Sequence, residues 1–112
     1  MAKEPGGSVP EGAAVMPLIP EELGVNPLLL AVLHATVFLD GSEDKIVDPD
    51  AAVEAMEYMA TYLQRLRGPE LRRAQEDMVT LVAYAKQQQW PKEHVRFFKE
   101  FLSNNGVGEG ET

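Results

Sequence analysis

The chain is predicted to be all-α: a compact four-helix antiparallel bundle with flexible N- and C-terminal tails. Three observations carry that prediction. Prolines stand in Asn26-Pro27, Asp48-Pro49, Gly68-Pro69 and Trp90-Pro91, each ahead of a run with helical periodicity. Proline suits the first helical position, because its missing N–H would be unpaired there anyway and its φ is already set. Glycines in Asp40-Gly41, Arg67-Gly68 and Asn105-Gly106 can take the left-handed cap that ends a helix. No segment alternates apolar and polar residues as a half-buried strand would. These signals divide the chain into a Pro/Gly-rich arm (1–25), a four-helix domain (26–105) and a tail (106–112).

Pro5, Gly6, Gly7, Pro10 and Gly12, then Pro17, Pro20 and Gly24, leave no room for a helix in the arm. Ala13 to Pro20 is nonetheless apolar, which fits either an extended strap over the helices or a short linear motif for a partner. The first helix, Pro27 to Leu39, is apolar nearly all round and capped by Asn26. A helix without a polar face is expected at the centre of the fold. The second, Pro49 to about Leu66, starts on the N-cap Asp48. Its seam is Ala52, Met56, Met59, Leu63 and Leu66, at helical spacing. Its acidic start and arginine-bearing end complement the macrodipole. The short turn at Arg67-Gly68-Pro69 sends the third helix back antiparallel. That helix, Pro69 to about Gln89, repeats the pattern with Leu71, Ala74, Met78, Leu81 and Ala85, and Val79 and Val82 widen its stripe for a second neighbour. The fourth, Pro91 to about Asn104, is aromatic, with Val95, Phe98, Phe101 and Leu102 in one arc and Phe97 at its edge.

With 112 residues, 45% hydrophobic and 25% charged, the composition is that of an ordinary soluble domain. Cysteine is absent, which excludes disulfides, thiolate metal sites and cysteine nucleophiles, and fits a cytoplasmic location. No signal peptide and no membrane span is expected, because the longest apolar stretch, Pro27 to Leu39, is too short to cross a bilayer. The net charge of −8 disfavours indiscriminate binding to nucleic acid or anionic membranes. Charge is unevenly spread, with an acidic run over residues 40–57 and Arg65, Arg67, Arg72 and Arg73 over residues 58–75.

The loop after the first helix invites comparison with a calcium-binding EF-hand, since Asp40, Ser42 and Asp44 fall at positions one, three and five. Lys45 then stands where the loop needs glycine, and Ala51 where calcium needs a bidentate glutamate, so no metal is expected. His34, in the most apolar helix, and His94, in the first turn of the fourth, lack a local carboxylate and nucleophile. The arginine turn has the helix–turn–helix layout, but Glu70, Glu76 and Asp77 occupy the front of its second helix. No phosphate loop, nucleophile elbow or metalloprotease motif is present.

The expected function is therefore that of a non-enzymatic protein–protein interaction module: an adaptor, a regulator or a small subunit of a larger complex, without cofactor. Its partner-binding residues are expected in the acidic loop (Asp40, Glu43, Asp44, Asp48), on the aromatic flank (Tyr58, Tyr62, Trp90, Phe97) and at the arginine turn (Arg65, Arg67, Arg72, Arg73). The partner is another protein or, through the same flank, a second copy in a homodimer. A nucleic-acid-binding module using residues 65–73 is the alternative, and a small metal-dependent or histidine-using enzyme the next.

Overall fold

A computed structural model describes residues 9–108. The fold is all-α, as predicted, with helix packing consistent with a bundle. It holds a 3₁₀ turn (Glu21–Leu23) and the helices α1 (Pro27–Gly41), α2 (Pro49–Leu63), α3 (Gly68–Gln87) and α4 (Lys92–Asn104). No strand occurs among the described residues. The outer parts of the expected arm and tail, residues 1–8 and 109–112, lie outside the described residues. The chain divides into two compact units: one runs to Leu23 and includes Pro27–Met59, and the other joins Gly24–Asn26 to the chain from Ala60 onward.

In the first unit the arm is docked from Gly12 on. The Ala14 N–H donates to the Ser42 hydroxyl at 2.9 Å, and the Glu43 N–H donates to the Gly12 carbonyl at 2.8 Å. Met16 and Ile19, from the apolar stretch of the arm, are buried. Of the two readings of that stretch, an extended strap is what these contacts describe. Gly41 has a different task from the one expected of it. It does not adopt positive φ, and α1 runs through it. A Cβ added there would lie 2.9 Å from the Ala14 Cβ, so glycine is what lets the strap come close.

α1 also departs from expectation. It was expected at the centre, but only Leu29 and Leu33 are buried. Leu28 is 76% exposed and Phe38 40% exposed. Apolar content raises the gain from burial, yet covering a helix on all sides needs neighbours on all sides. Here Leu29 and Leu33 are fully covered, Leu30, Val32, Val37 and Leu39 are half-buried, and Leu28, Ala31, Ala35 and Phe38 form one exposed face. Thr36 is accommodated by donating its hydroxyl to the Val32 carbonyl at 2.9 Å. At the start of α2, Asp48 is the N-cap foreseen, its carboxylate accepting the Ala51 N–H at 2.9 Å. Of the seam expected on α2, Ala52 alone is fully buried; Met56, Met59, Leu63 and Leu66 are half-buried.

The second unit is built on α3 packed against α4. α3 buries Leu71, Ala74, Met78, Leu81 and Ala85, the stripe read from the sequence, and Asp77 besides. Val79 does not meet a second neighbour and stays 70% exposed. α2 stops earlier than expected, at Leu63, and its end tightens through Arg65 N–H to Tyr62 and Leu66 N–H to Leu63. Gly68 and Gly106 hold the left-handed conformations predicted for them, at φ 53° and 69°. α3 and α4 then end in the same way. In α3, Trp90 N–H returns to the Ala85 carbonyl and Gln89 N–H to Lys86; in α4, Val107 N–H returns to Leu102 and Gly106 N–H to Ser103. Both are Schellman closures. The left-handed position is glycine in one and Gln89, at φ 57°, in the other.

Candidate interaction surface

The acidic residues foreseen as partner contacts, Asp40, Glu43, Asp44 and Asp48, are all exposed in the first unit. Asp48 is committed to its cap, and the Glu43 carbonyl accepts the Ile46 and Val47 N–H groups at 2.8 and 3.1 Å. The loop is thus an ordered turn carrying solvated carboxylates. Among the described residues no group of three or more His, Cys, Asp or Glu side chains could hold a metal ion. Tyr58, from the same unit, is 62% exposed. The His34 imidazole is half-buried, and its desolvation holds its pKa below the ordinary value for histidine.

In the second unit the arginines have structural work. The Arg67 guanidinium donates to the Gln64 and Leu66 carbonyls at 2.6 and 3.1 Å, satisfying acceptors left open at the end of α2. Arg65 lies over the Tyr62 ring, 4.9 Å from its centroid. Arg73 donates to the Asp77 carboxylate at 3.3 Å and to the Gly24 carbonyl at 2.9 Å. Asp77 also accepts the Asn26 N–H at 3.0 Å, so this buried carboxylate fastens residues 24–26 to α3. In the sequence Asp77 stands as one charge among several. Its position three residues after Ala74 and four before Leu81, on the buried stripe, was the available signal. Arg72 is exposed, as is Tyr62.

Trp90 and Phe97 belong to a continuous aromatic stack within the same unit. Trp90 meets the Tyr84 and His94 rings edge-on, each at 5.7 Å between centroids, and Phe98 at 6.0 Å. Phe97 meets Phe98 at 5.7 Å and Phe101 at 5.5 Å. Both rings are half-buried, so most of their contact area is spent inside the domain. His94 sits against Trp90 with its Nδ1 buried and unpaired.

Along α3 and α4 runs an open groove of about 480 Å³ that sequence reading did not anticipate. Met78 and Phe98 form its floor, while Val79, Val82 and Leu102 line its walls. Lys86 and Lys99 stand on its rim, and among the described residues no carboxylate lines it. A neighbouring hollow of about 590 Å³ shares Lys86 and Lys99 and adds Lys92, Arg96, Trp90 and Glu100. Four of the ten basic residues of this acidic chain therefore gather on one side of the α3–α4 pair. The spacing of Lys92, Arg96 and Lys99, by four and then three, puts them on one face of α4 and was legible in advance. Their convergence with Lys86 required the packing of α4 on α3.

Among the described residues no helix is long and apolar enough to cross a membrane. No protein-family model, curated protein or solved structure matches the chain.

Proposed function

We propose that the chain is a non-enzymatic protein-interaction module, acting as an adaptor, a regulator or a small subunit of a larger complex. The observation that carries this reading is the groove on α3 and α4, where Val79 remains 70% exposed beside half-buried Val82 and Leu102. Single exposed apolar residues are common on any protein surface. A concave apolar strip with a polar rim is a different feature, and it has the anatomy of an interface core. Val79 has the most apolar area left to bury, at roughly 25 cal/mol per Å², and half-buried Val82 and Leu102 add less.

This reading shifts the docking surface expected from sequence. The aromatic flank contributes less, because Trp90 and Phe97 are stacked within their own unit. The arginine turn contributes less, because Arg67 and Arg73 bind backbone carbonyls and Asp77. The acidic loop and the exposed Tyr58 and Tyr62 remain available as secondary contacts.

The test is affinity capture of partners from the native host with the full chain, compared with Val79→Asp. A stoichiometric protein partner that binds the wild type and is lost with the substitution supports the reading. Retention of that partner by Val79→Asp, but loss on charge reversal of Glu43 and Asp44, returns the surface to the acidic loop. Absence of any partner, with a monomer by light scattering, contradicts the reading.

A further inference from the structure

We infer that the α3–α4 groove is a receptor for an amphipathic helix with acidic flanks, presented by a partner protein; this rests on the interaction-module reading and names the chemistry of its ligand. Three features of the groove select that occupant. The first is shape. The walls are ridges of two packed helices, and the described part of the chain has no sheet edge to which an extended peptide could add. Helical ridges accept a third helix by interdigitation at about 8–10 Å between axes. The second is length. The α3 wall runs from Gln75 to Lys86, which at ~1.5 Å per residue is about 16 Å, or three turns of a docked helix. Apolar residues at i, i+3, i+4 and i+7 would fill it.

The third feature is charge. Lys86 and Lys99 rim the groove, Lys92 and Arg96 extend the same side, and among the described residues Glu100 is the single carboxylate lining either hollow. The net charge of −8 would by itself repel an acidic ligand. At physiological ionic strength, however, screening acts over about 8 Å, so the cations standing on the rim itself govern the last approach. Charge at such a rim sets register and on-rate, and the apolar floor supplies the affinity. A basic helix would meet like charge at the same rim.

The probe is a synthetic helix of about 14 residues with leucines at the four docking positions and glutamates beside them. Its counterparts carry lysine in place of glutamate, or the same residues scrambled. Binding to the full-length chain is followed by fluorescence anisotropy at low and physiological salt. The acidic helix is expected to bind at least about tenfold more tightly than the basic one, and to weaken as salt rises. In the Lys86→Glu/Lys99→Glu variant the preference should invert, the basic helix becoming the tighter ligand. A wild-type far-UV circular dichroism spectrum for the variant separates that inversion from non-specific attraction of the basic helix to an unfolded, still more acidic chain.

Equal binding of acidic and basic helices, or an unchanged preference in the charge-reversed variant, overturns the proposal. So does concentration-dependent self-association that the charge reversal abolishes, because the occupant would then be a second copy. If the peptides fail while a partner from the host is still lost with Val79→Asp, the helix assignment falls and the interaction-module reading stands. If neither peptide nor partner binds, both fall.

Discussion

α1 and α3 teach opposite lessons about hydrophobicity. α1 is apolar on nearly every side, yet buries only Leu29 and Leu33. α3 is half polar and charged, yet buries six residues, one of them a carboxylate. Spacing is what differs. In α3 the apolar residues repeat every three or four positions, so a single face meets α4 and the rest stays wetted. In α1 the sequence distinguishes no face, so partial cover of Leu30, Val32, Val37 and Leu39 beside the buried pair still leaves the apolar face of Leu28, Ala31, Ala35 and Phe38 exposed. Pattern places a helix, whereas content alone states only how much would be gained if cover were found.

The largest expected effect follows directly. Leu81 is 0% exposed, so Leu81→Ala should cost about 2–5 kcal/mol in denaturant unfolding. Leu28→Ala, at 76% exposure, should change stability by no more than about 0.5 kcal/mol. Comparable losses at the two positions would mean that α1 is covered after all. Next comes the carboxylate on the buried face of α3. Asp77→Ala removes the acceptor for the Asn26 N–H and the partner of Arg73, and should destabilise by about 1–3 kcal/mol. Replacing exposed Arg73 should cost less, since its ion pair is largely solvated.

Where α1 meets the strap, Gly41→Ala places a Cβ 2.9 Å from Ala14. Gly41 is the last residue of α1, where alanine gains less than the ~1 kcal/mol of a helix interior, so the clash prevails for a net loss of about 1 kcal/mol. The double variant Ala14→Gly/Gly41→Ala should recover it, and thermal melts of the four-member cycle measure the coupling. At the end of α3, Gln89→Gly relieves a left-handed residue that bears a side chain. A gain of about 0.5–1 kcal/mol is expected, readable as a shift in unfolding midpoint.

The smallest effect is the pH dependence of α1. Burial lowers the His34 pKa from its usual 6.5, so on acidification the unfolded chain binds that proton first. The His34 contribution to stability is full above about pH 6.5, declines as the pH falls below it, and levels off once the folded imidazole is protonated too. His34→Gln should flatten that part of the pH–stability curve. A slope unchanged by the substitution would place its origin in other groups.

Much of the fold was legible because helix ends are local chemistry. Asp48-Pro49 announces a cap and a first turn, and Gly106 announces a left-handed stop. Gln89 closes α3 by the same hydrogen bonds as Gly106, yet nothing in its side chain signals it, and the end of that helix was accordingly set too late. Gly41 was misread for a related reason. Glycine serves both positive φ and close approach, and only the position of Ala14 tells which is in use. The candidate site was less legible than the fold. Val79 reads as core on α3 alone, and it becomes the wall of a groove only because α4 leaves that side of the pair open. Lys86 and Lys99 lie thirteen positions apart in the chain and meet at one rim through packing between helices. Local periodicity does not encode such a meeting.

The groove itself is tested most directly by mapping amide chemical shifts on the isotopically labelled full chain while the acidic helix is titrated in. Perturbations should centre on Val79, Val82, Lys86, Lys99 and Leu102, and leave Leu28 and the loop from Asp40 to Asp48 in place. Shifts centred instead on α1 or on the acidic loop would contradict a docking surface on α3 and α4.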